Sequence, residues 1–124
     1  MDAKLADHVR AAAADARRRA MAYPGSASAD ELPWAVIAAF DAEVRGYVER
    51  DRRIEDERDR VLIAAVKLAE APPAPEGEDA NPARGHLIDA IDYLEQAVLR
   101  FGIVNWEAAK RGFGRHGQRV AAKA

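Results

Sequence analysis

Residues 34–71 read WAVIAAFDAEVRGYVERDRRIEDERDRVLIAAVKLAEA, and this stretch decides the fold of the chain. Read at heptad spacing, one stripe of it is mostly apolar at both ends and polar in the middle. The stripe comprises Ile37, Phe40, Val44, Tyr47, Asp51, Ile54, Arg58, Val61, Ala65 and Leu68. The pattern predicts one continuous helix over about 31–71, of which residues 34–71 would span roughly 55 Å at 1.5 Å per residue.

The centre of the stretch, residues 49–60, is almost entirely charged. Opposite charges recur four residues apart, and each such pair stabilises a helix by a few tenths of a kcal/mol. The pairs are Glu49–Arg53, Arg52–Asp56, Arg53–Glu57 and Asp56–Arg60. Only Gly46 argues against a continuous helix, at a cost of about 1 kcal/mol relative to alanine.

The composition indicates a single soluble domain. The chain has 124 residues, of which 49% are hydrophobic and 32% charged, and this length builds one modest core. It contains no cysteine, which excludes disulfides and thiolate metal sites and fits a reducing compartment. No stretch approaches the ~18 apolar residues of a membrane span, and the N-terminus lacks the apolar core of a signal peptide. We therefore expect a cytoplasmic protein with no membrane contact.

Apolar periodicity predicts further helices around the long one. We expect them at about 2–21, 83–101 and 105–113, with a flexible proline-rich linker at 72–82 and a frayed basic tail at 114–124. The prediction is one all-α domain over 1–124, a three- or four-helix bundle built around one long central helix. Its expected core is Trp34, Ile37, Phe40, Val44, Val61, Leu62, Leu87, Ile91, Leu94, Val98 and Trp106.

The polar positions in the long stripe suggest a way for two chains to associate. Asp51 and Arg58 lie seven residues apart with Ile54 between them, so an antiparallel pair of these helices would match Asp51 of one chain with Arg58 of the other. Such pairs define register and orientation. The sequence thus predicts a coiled-coil homodimer with an interface of Tyr47, Asp51, Ile54, Arg58 and Val61. In the alternative interpretation the stripe turns to solvent there, and each end packs on the other helices.

Side chains for catalysis or metal binding are few. The chain has neither cysteine nor threonine, and its only serines, Ser26 and Ser28, lie in a loop where helix capping accounts for them. Acidic and histidine side chains recur every three residues along the helix at 83–101, a spacing that can place them around a divalent cation. They are His86, Asp89, Asp92 and Glu95. A solvated helix face explains them more simply, and we expect no metal and no cofactor.

The end of the chain is basic, in contrast to the rest. Residues 103–124 carry five basic side chains and one acidic one, whereas the whole chain has a net charge of −2. The basic residues are Lys110, Arg111, Arg115, Arg119 and Lys123. Their spacing would let them lie along phosphates, so a nucleic-acid contact is one alternative and a solubilising tail is the other.

Within this tail, Arg111 is followed by His116 with four residues between them, in the sequence RGFGRH. This pattern resembles the Arg-x4-His signature of HEPN-family ribonucleases, which are small helical dimers. The resemblance implies that Arg111 would stabilise a phosphate and His116 would transfer a proton in metal-independent RNA cleavage. It covers six residues and places Gly112 where the family often has a polar residue.

Taken together, these patterns favour a non-enzymatic helical protein–protein interaction module, such as an adaptor, assembly factor or inhibitor. We expect it to associate with itself through the long helix, with another protein, or with both. The alternative is a nucleic-acid-associated protein that acts through the basic tail, in its extreme form a HEPN-like ribonuclease.

Overall fold

The computed structural model describes residues 3–23, 31–71 and 82–105. Within these ranges the chain forms four α-helices and one 3-10 turn, with no strand, so the predicted all-α class is confirmed. The elements are α1 (Ala3–Ala22), α2 (Leu32–Glu43), the 3-10 turn Arg45–Tyr47, α3 (Arg52–Glu70) and α4 (Pro82–Phe101). Residues 72–81 of the expected linker, nearly all of the expected helix at 105–113 and the tail at 114–124 lie outside the described residues.

The continuous helix predicted over 31–71 is wrong. The chain leaves the helical conformation after Glu43, passes through the 3-10 turn and is extended at Val48, where φ is −116° and ψ is 139°. A new helix then begins at Asp51, whose side chain accepts a hydrogen bond of 2.8 Å from the backbone N–H of Arg53. Asp51 is therefore an N-cap and does not lie within a helix.

The segment between α2 and α3 is hydrogen-bonded to residues 103–105, which follow α4. Val48 forms an isolated antiparallel bridge with Val104, and both side chains are buried. On either side of this bridge, the N–H of Glu49 donates to the Ile103 carbonyl (2.6 Å) and the N–H of Asn105 donates to the Tyr47 carbonyl (2.8 Å). These bonds satisfy backbone groups that a continuous helix would have paired internally, which is a physical reason for the break.

The four helices pack in a ring. α1 packs on α2, α2 on α3, α3 on α4, and α4 closes on α1. The largest fully buried side chains come from all four helices and the turn after α2, and they include Leu5, Val36, Ile37, Val44, Val61, Leu68, Leu87 and Val98. Of the expected core, Trp34 is exposed, Leu62 is half-buried and Trp106 lies outside the described residues. The other expected core residues are buried.

Arg84 joins the start of α4 to the end of α1. Its guanidinium donates to the backbone carbonyls of Ala20, Met21 (3.2 Å) and Tyr23 (2.9 Å). The last carbonyls of a helix have no partner within the helix and carry its partial negative charge, so a cation there is favourable. This contact sets where α1 ends relative to α4.

Candidate interaction surface

The structure turns most of the predicted dimer interface toward the core of its own chain. Ile54, Arg58 and Val61 are buried, and Tyr47 is half-buried. Asp51 lies before α3 and binds Arg53 of the same chain, with Nη2–Oδ2 at 2.8 Å. The five residues therefore do not form an exposed seam on a single helix, because the hairpin of α2 and α3 buries the stripe that the sequence pattern had assigned to a partner.

Arg58 has its acidic partner within the chain. Its Nε donates to Oδ1 of Asp41 at 2.8 Å and its Nη2 donates to Oδ2 at 2.7 Å, a bidentate pair between α3 and α2. The Arg58 side chain is only 10% exposed and that of Asp41 is 32% exposed. The hydrogen bonds that Arg58 donates to this carboxylate raise the pKa of Arg58 above its ordinary value despite the cost of burial. The pair thus fastens the two arms of the hairpin.

The electrostatics at Asp51 stabilise the start of α3. Hydrogen bonds from the side chain and the backbone N–H of Arg53 lower the pKa of Asp51 from 3.8 to about 2. The carboxylate also sits at the N-terminal end of the helix, where the helix dipole favours a negative charge. Arg53 binds Asp51. It therefore does not form the pairs with Glu49 and Glu57 that the sequence spacing predicted.

A cleft of about 490 Å³ lies beside the break between α2 and α3. Within it, Arg45 (2.9 Å) and Arg50 (3.5 Å) both reach Oε1 of Glu55. The two arginines share one carboxylate in an ion-pair network that supports the turn.

Two ion pairs establish the register of the α2–α3 hairpin. Asp41 of α2 faces Arg58, and Arg45 of the 3-10 turn after α2 faces Glu55, so α2 and α3 are antiparallel and the numbers of facing residues add to 99 or 100. Carried two turns toward the start of α2, this register places Trp34 at the level of Val66. Trp34 lies seven residues before Asp41 and therefore on the same side of α2, the side next to α3.

The hairpin presents an apolar surface to solvent at this level. We call it the outer face, and it comprises Trp34, Leu62, Ile63, Val66 and Ala69. Trp34 is 63% exposed, Ile63 54% and Val66 40%, and they are among the largest exposed hydrophobic side chains in the described ranges. Leu62 and Ala69 are partly buried and pack against the core from the same side. Sequence reasoning missed this surface because it assigned Trp34 to the core.

The acidic side of α4 forms ion pairs with α1. Nη1 of Arg17 lies 2.8 Å from Asp92 and 3.2 Å from Glu95. Burial alone would lower the pKa of Arg17, but hydrogen bonds to Glu95 and Asp92 raise it above its ordinary value. The other two members of the predicted acidic series, His86 and Asp89, are exposed. Within the described residues, no group of three or more acidic, histidine or cysteine side chains is arranged to hold a metal ion.

The nucleic-acid and ribonuclease hypotheses fall on a part of the chain that the structure does not describe. Lys110, Arg111, Arg115, Arg119, Lys123 and His116 all lie outside the described residues. Comparison with known proteins returned no match, since no family model, curated protein or solved structure matches the chain. Among the described helices, none is both long and apolar enough to cross a membrane.

Proposed function

We propose that this chain is a non-enzymatic helical interaction module that binds a partner protein on the outer face of the α2–α3 hairpin. The observation that carries the proposal is the exposure of Trp34 on α2 and of Ile63 and Val66 on α3, at levels that the hairpin register brings together. Large apolar side chains that share one exposed surface are typical of protein-interaction sites, whereas isolated ones are ordinary. Tryptophan is also among the residues that contribute most to the affinity of protein interfaces.

The dimensions of the outer face fit the centre of an interface. At 63% exposure, Trp34 presents about 150 Å² of surface, and a standard interface buries about 800 Å² on each partner. The apolar side chains would then form a central cluster, and polar residues around them would form the rim. Loss of a central tryptophan costs such interfaces about 2 kcal/mol or more, equivalent to roughly a 30-fold weaker complex.

The outer face has a rigid support, which favours binding. The bidentate pair between Asp41 and Arg58 lies two turns from Trp34 and ties α2 to α3. A surface built on two packed helices loses little conformational entropy when a partner binds.

Site-specific photo-crosslinking tests the proposal. A photoreactive amino acid replaces Ala38, which is exposed on α2 and one turn from Trp34, and the protein is expressed in its native cells. The matched control carries the same group at Ala11, an exposed residue of α1. We expect a discrete adduct from position 38 that is absent from position 11 and is lost when Trp34→Ser is added.

Equal crosslinking from both positions, or an adduct that survives Trp34→Ser, would refute the proposal. The mass of the adduct also identifies the class of partner. Twice the mass of the chain would indicate self-association through this face, and any other mass would indicate a different protein.

A further inference from the structure

We infer that the partner segment bound by the outer face is a basic amphipathic helix of another protein, an inference that rests on the proposed function. The outer face is apolar along its middle and acidic at both ends. The register of the hairpin places Glu31 within about one residue of the level of Glu70 at one end, and Asp59 precedes Leu62 by about one turn at the other. All three acidic residues are exposed.

These carboxylates lack a close basic partner within the described part of the chain. No ion pair there includes Glu31, Asp59 or Glu70, whereas other acidic residues nearby do have partners. Among the basic residues of α3, Arg58 binds Asp41 and Arg60 binds Glu57. Three exposed carboxylates around an apolar surface favour a partner that carries positive charge.

The basic residue within the apolar run of α3 is Lys67, which lies one turn after Ile63. Lys67 follows Val66 and is therefore turned about 100° further around the helix axis, away from α2. A partner lying in the groove between α2 and α3 would meet Lys67 only at the outer edge of the face, beside Ile63, and the three carboxylates outnumber this one cation.

The spacing of the acidic ends specifies the length of the partner segment. Asp59 and Glu70 are separated by about 16 Å along α3, which corresponds to three turns of helix. A helix laid along the α2–α3 groove would place apolar residues at i, i+3, i+4 and i+7 over the outer face. Its lysine or arginine residues would flank that apolar run, about eleven residues apart, to reach both acidic ends.

The same charges disfavour a second copy of the chain on this face. A two-fold interface brings the same surface from both chains together, so Asp59, Glu70 and Glu31 of one copy would lie close to those of the other. Like charges placed together at an interface weaken association. The outer face therefore fits a different, basic partner better than it fits itself.

Two designed peptides test this inference. Both are 18-residue amphipathic helices with leucine at the apolar positions, and they differ only in carrying lysine or glutamate at the flanking positions. Binding is followed by the anisotropy of a dye on the peptide. We expect the lysine peptide to bind at least ten times more tightly than the glutamate peptide, Trp34→Ser to weaken its binding about 30-fold, and the triple variant Glu31→Lys/Asp59→Lys/Glu70→Lys to reverse the preference.

The outcomes separate this inference from the proposed function. If both peptides bind equally and Trp34→Ser abolishes both, the charge preference is wrong and the docking surface stands. If the lysine peptide binds Trp34→Ser as well as the unaltered chain, its binding is general attraction to acidic protein and the inference is overturned. If neither peptide binds, the inference is likewise overturned, and the crosslinking experiment at Ala38 decides the proposed function separately.

Discussion

Removal of the Asp41 carboxylate should destabilise the fold more than the loss of any other single acidic group in the hairpin. In Asp41→Ala, the guanidinium of Arg58 loses both of its short hydrogen bonds while its side chain stays about nine-tenths buried. An unpaired buried charge costs about 3–5 kcal/mol. Because Asp41 is itself 32% exposed, water can reach the vacated site, and we expect about 2–3 kcal/mol.

Urea unfolding followed by circular dichroism at 222 nm measures this cost, with free energies from linear extrapolation. The matched control is Asp56→Ala, which removes another carboxylate from the α2–α3 hairpin. Its pair with Arg52 is long, at 3.9 Å, and largely exposed, so we expect its loss to cost less than about 0.5 kcal/mol.

The double variant Asp41→Ala/Arg58→Met tests the mechanism. With the buried charge removed along with its partner, the loss should be smaller than in Asp41→Ala alone, which corresponds to a coupling energy of about 1–3 kcal/mol. If Asp41→Ala costs no more than Asp56→Ala, or if the two single changes add without coupling, the buried bidentate pair does not hold α2 to α3 and the reasoning is refuted.

The other predictions concern different parts of the structure. Trp34→Ser should change the free energy of unfolding by less than about 0.5 kcal/mol because the side chain is exposed, whereas Leu87→Ala, which is fully buried, should cost about 2–5 kcal/mol in the same urea titration. Arg84→Ala should cost about 1–2 kcal/mol because three backbone carbonyls at the end of α1 lose a charged donor, and Arg84→Lys should recover part of it; equal losses from both would contradict the multiple-acceptor arrangement. Asp51 has a folded-state pKa of about 2, below its ordinary value of 3.8, so its contribution to stability is complete above about pH 5 and is lost as the pH falls from about 4 toward 2. Thermal unfolding from pH 2 to pH 6 should therefore show a shallower decline for Asp51→Asn than for the unaltered chain, and parallel curves would count against the Arg53 contact.

The helices at both ends of the described chain were accessible to sequence reasoning, since apolar residues recur along one side of each. We expected helices over about 2–21 and 83–101, and the structure has α1 over Ala3–Ala22 and α4 over Pro82–Phe101. Most of the expected core residues in these patterns are buried. Periodicity is informative here because each helix has one buried side and one solvated side.

The break between α2 and α3 could not be inferred from local spacing alone. Asp51 fits a heptad position in a continuous helix as well as an N-cap, and the charged residues after it favour either structure. The break depends on hydrogen bonds to residues 103 and 105, more than fifty residues further along the chain. Sequence spacing contains no information on such long-range partners.

The same limitation explains the errors in the candidate site. The partner of Arg58 is Asp41, seventeen residues earlier, and the pair forms only because the hairpin brings the two residues together. The exposure of Trp34 also depends on the hairpin, because the packing of α2 on α3 leaves the side of α2 that carries Trp34 at the solvent-facing margin of the two helices. One signal was available in the sequence, because Trp34 and Asp41 are seven residues apart, and a helix side that carries an aspartate is less often the buried one.

A single distance tests the hairpin from which the outer face arises. The chain has no cysteine, so two nitroxide labels can be attached at Glu31→Cys and Glu70→Cys without competing sites. Pulsed electron–electron double resonance then measures the distance between the labels. The hairpin predicts about 15–25 Å, because packed helix axes lie 8–10 Å apart and the labels add their own length. A separation near 60 Å, as expected for one continuous helix, would contradict the account, since Trp34 and Val66 would then be about 48 Å apart and could not share a surface.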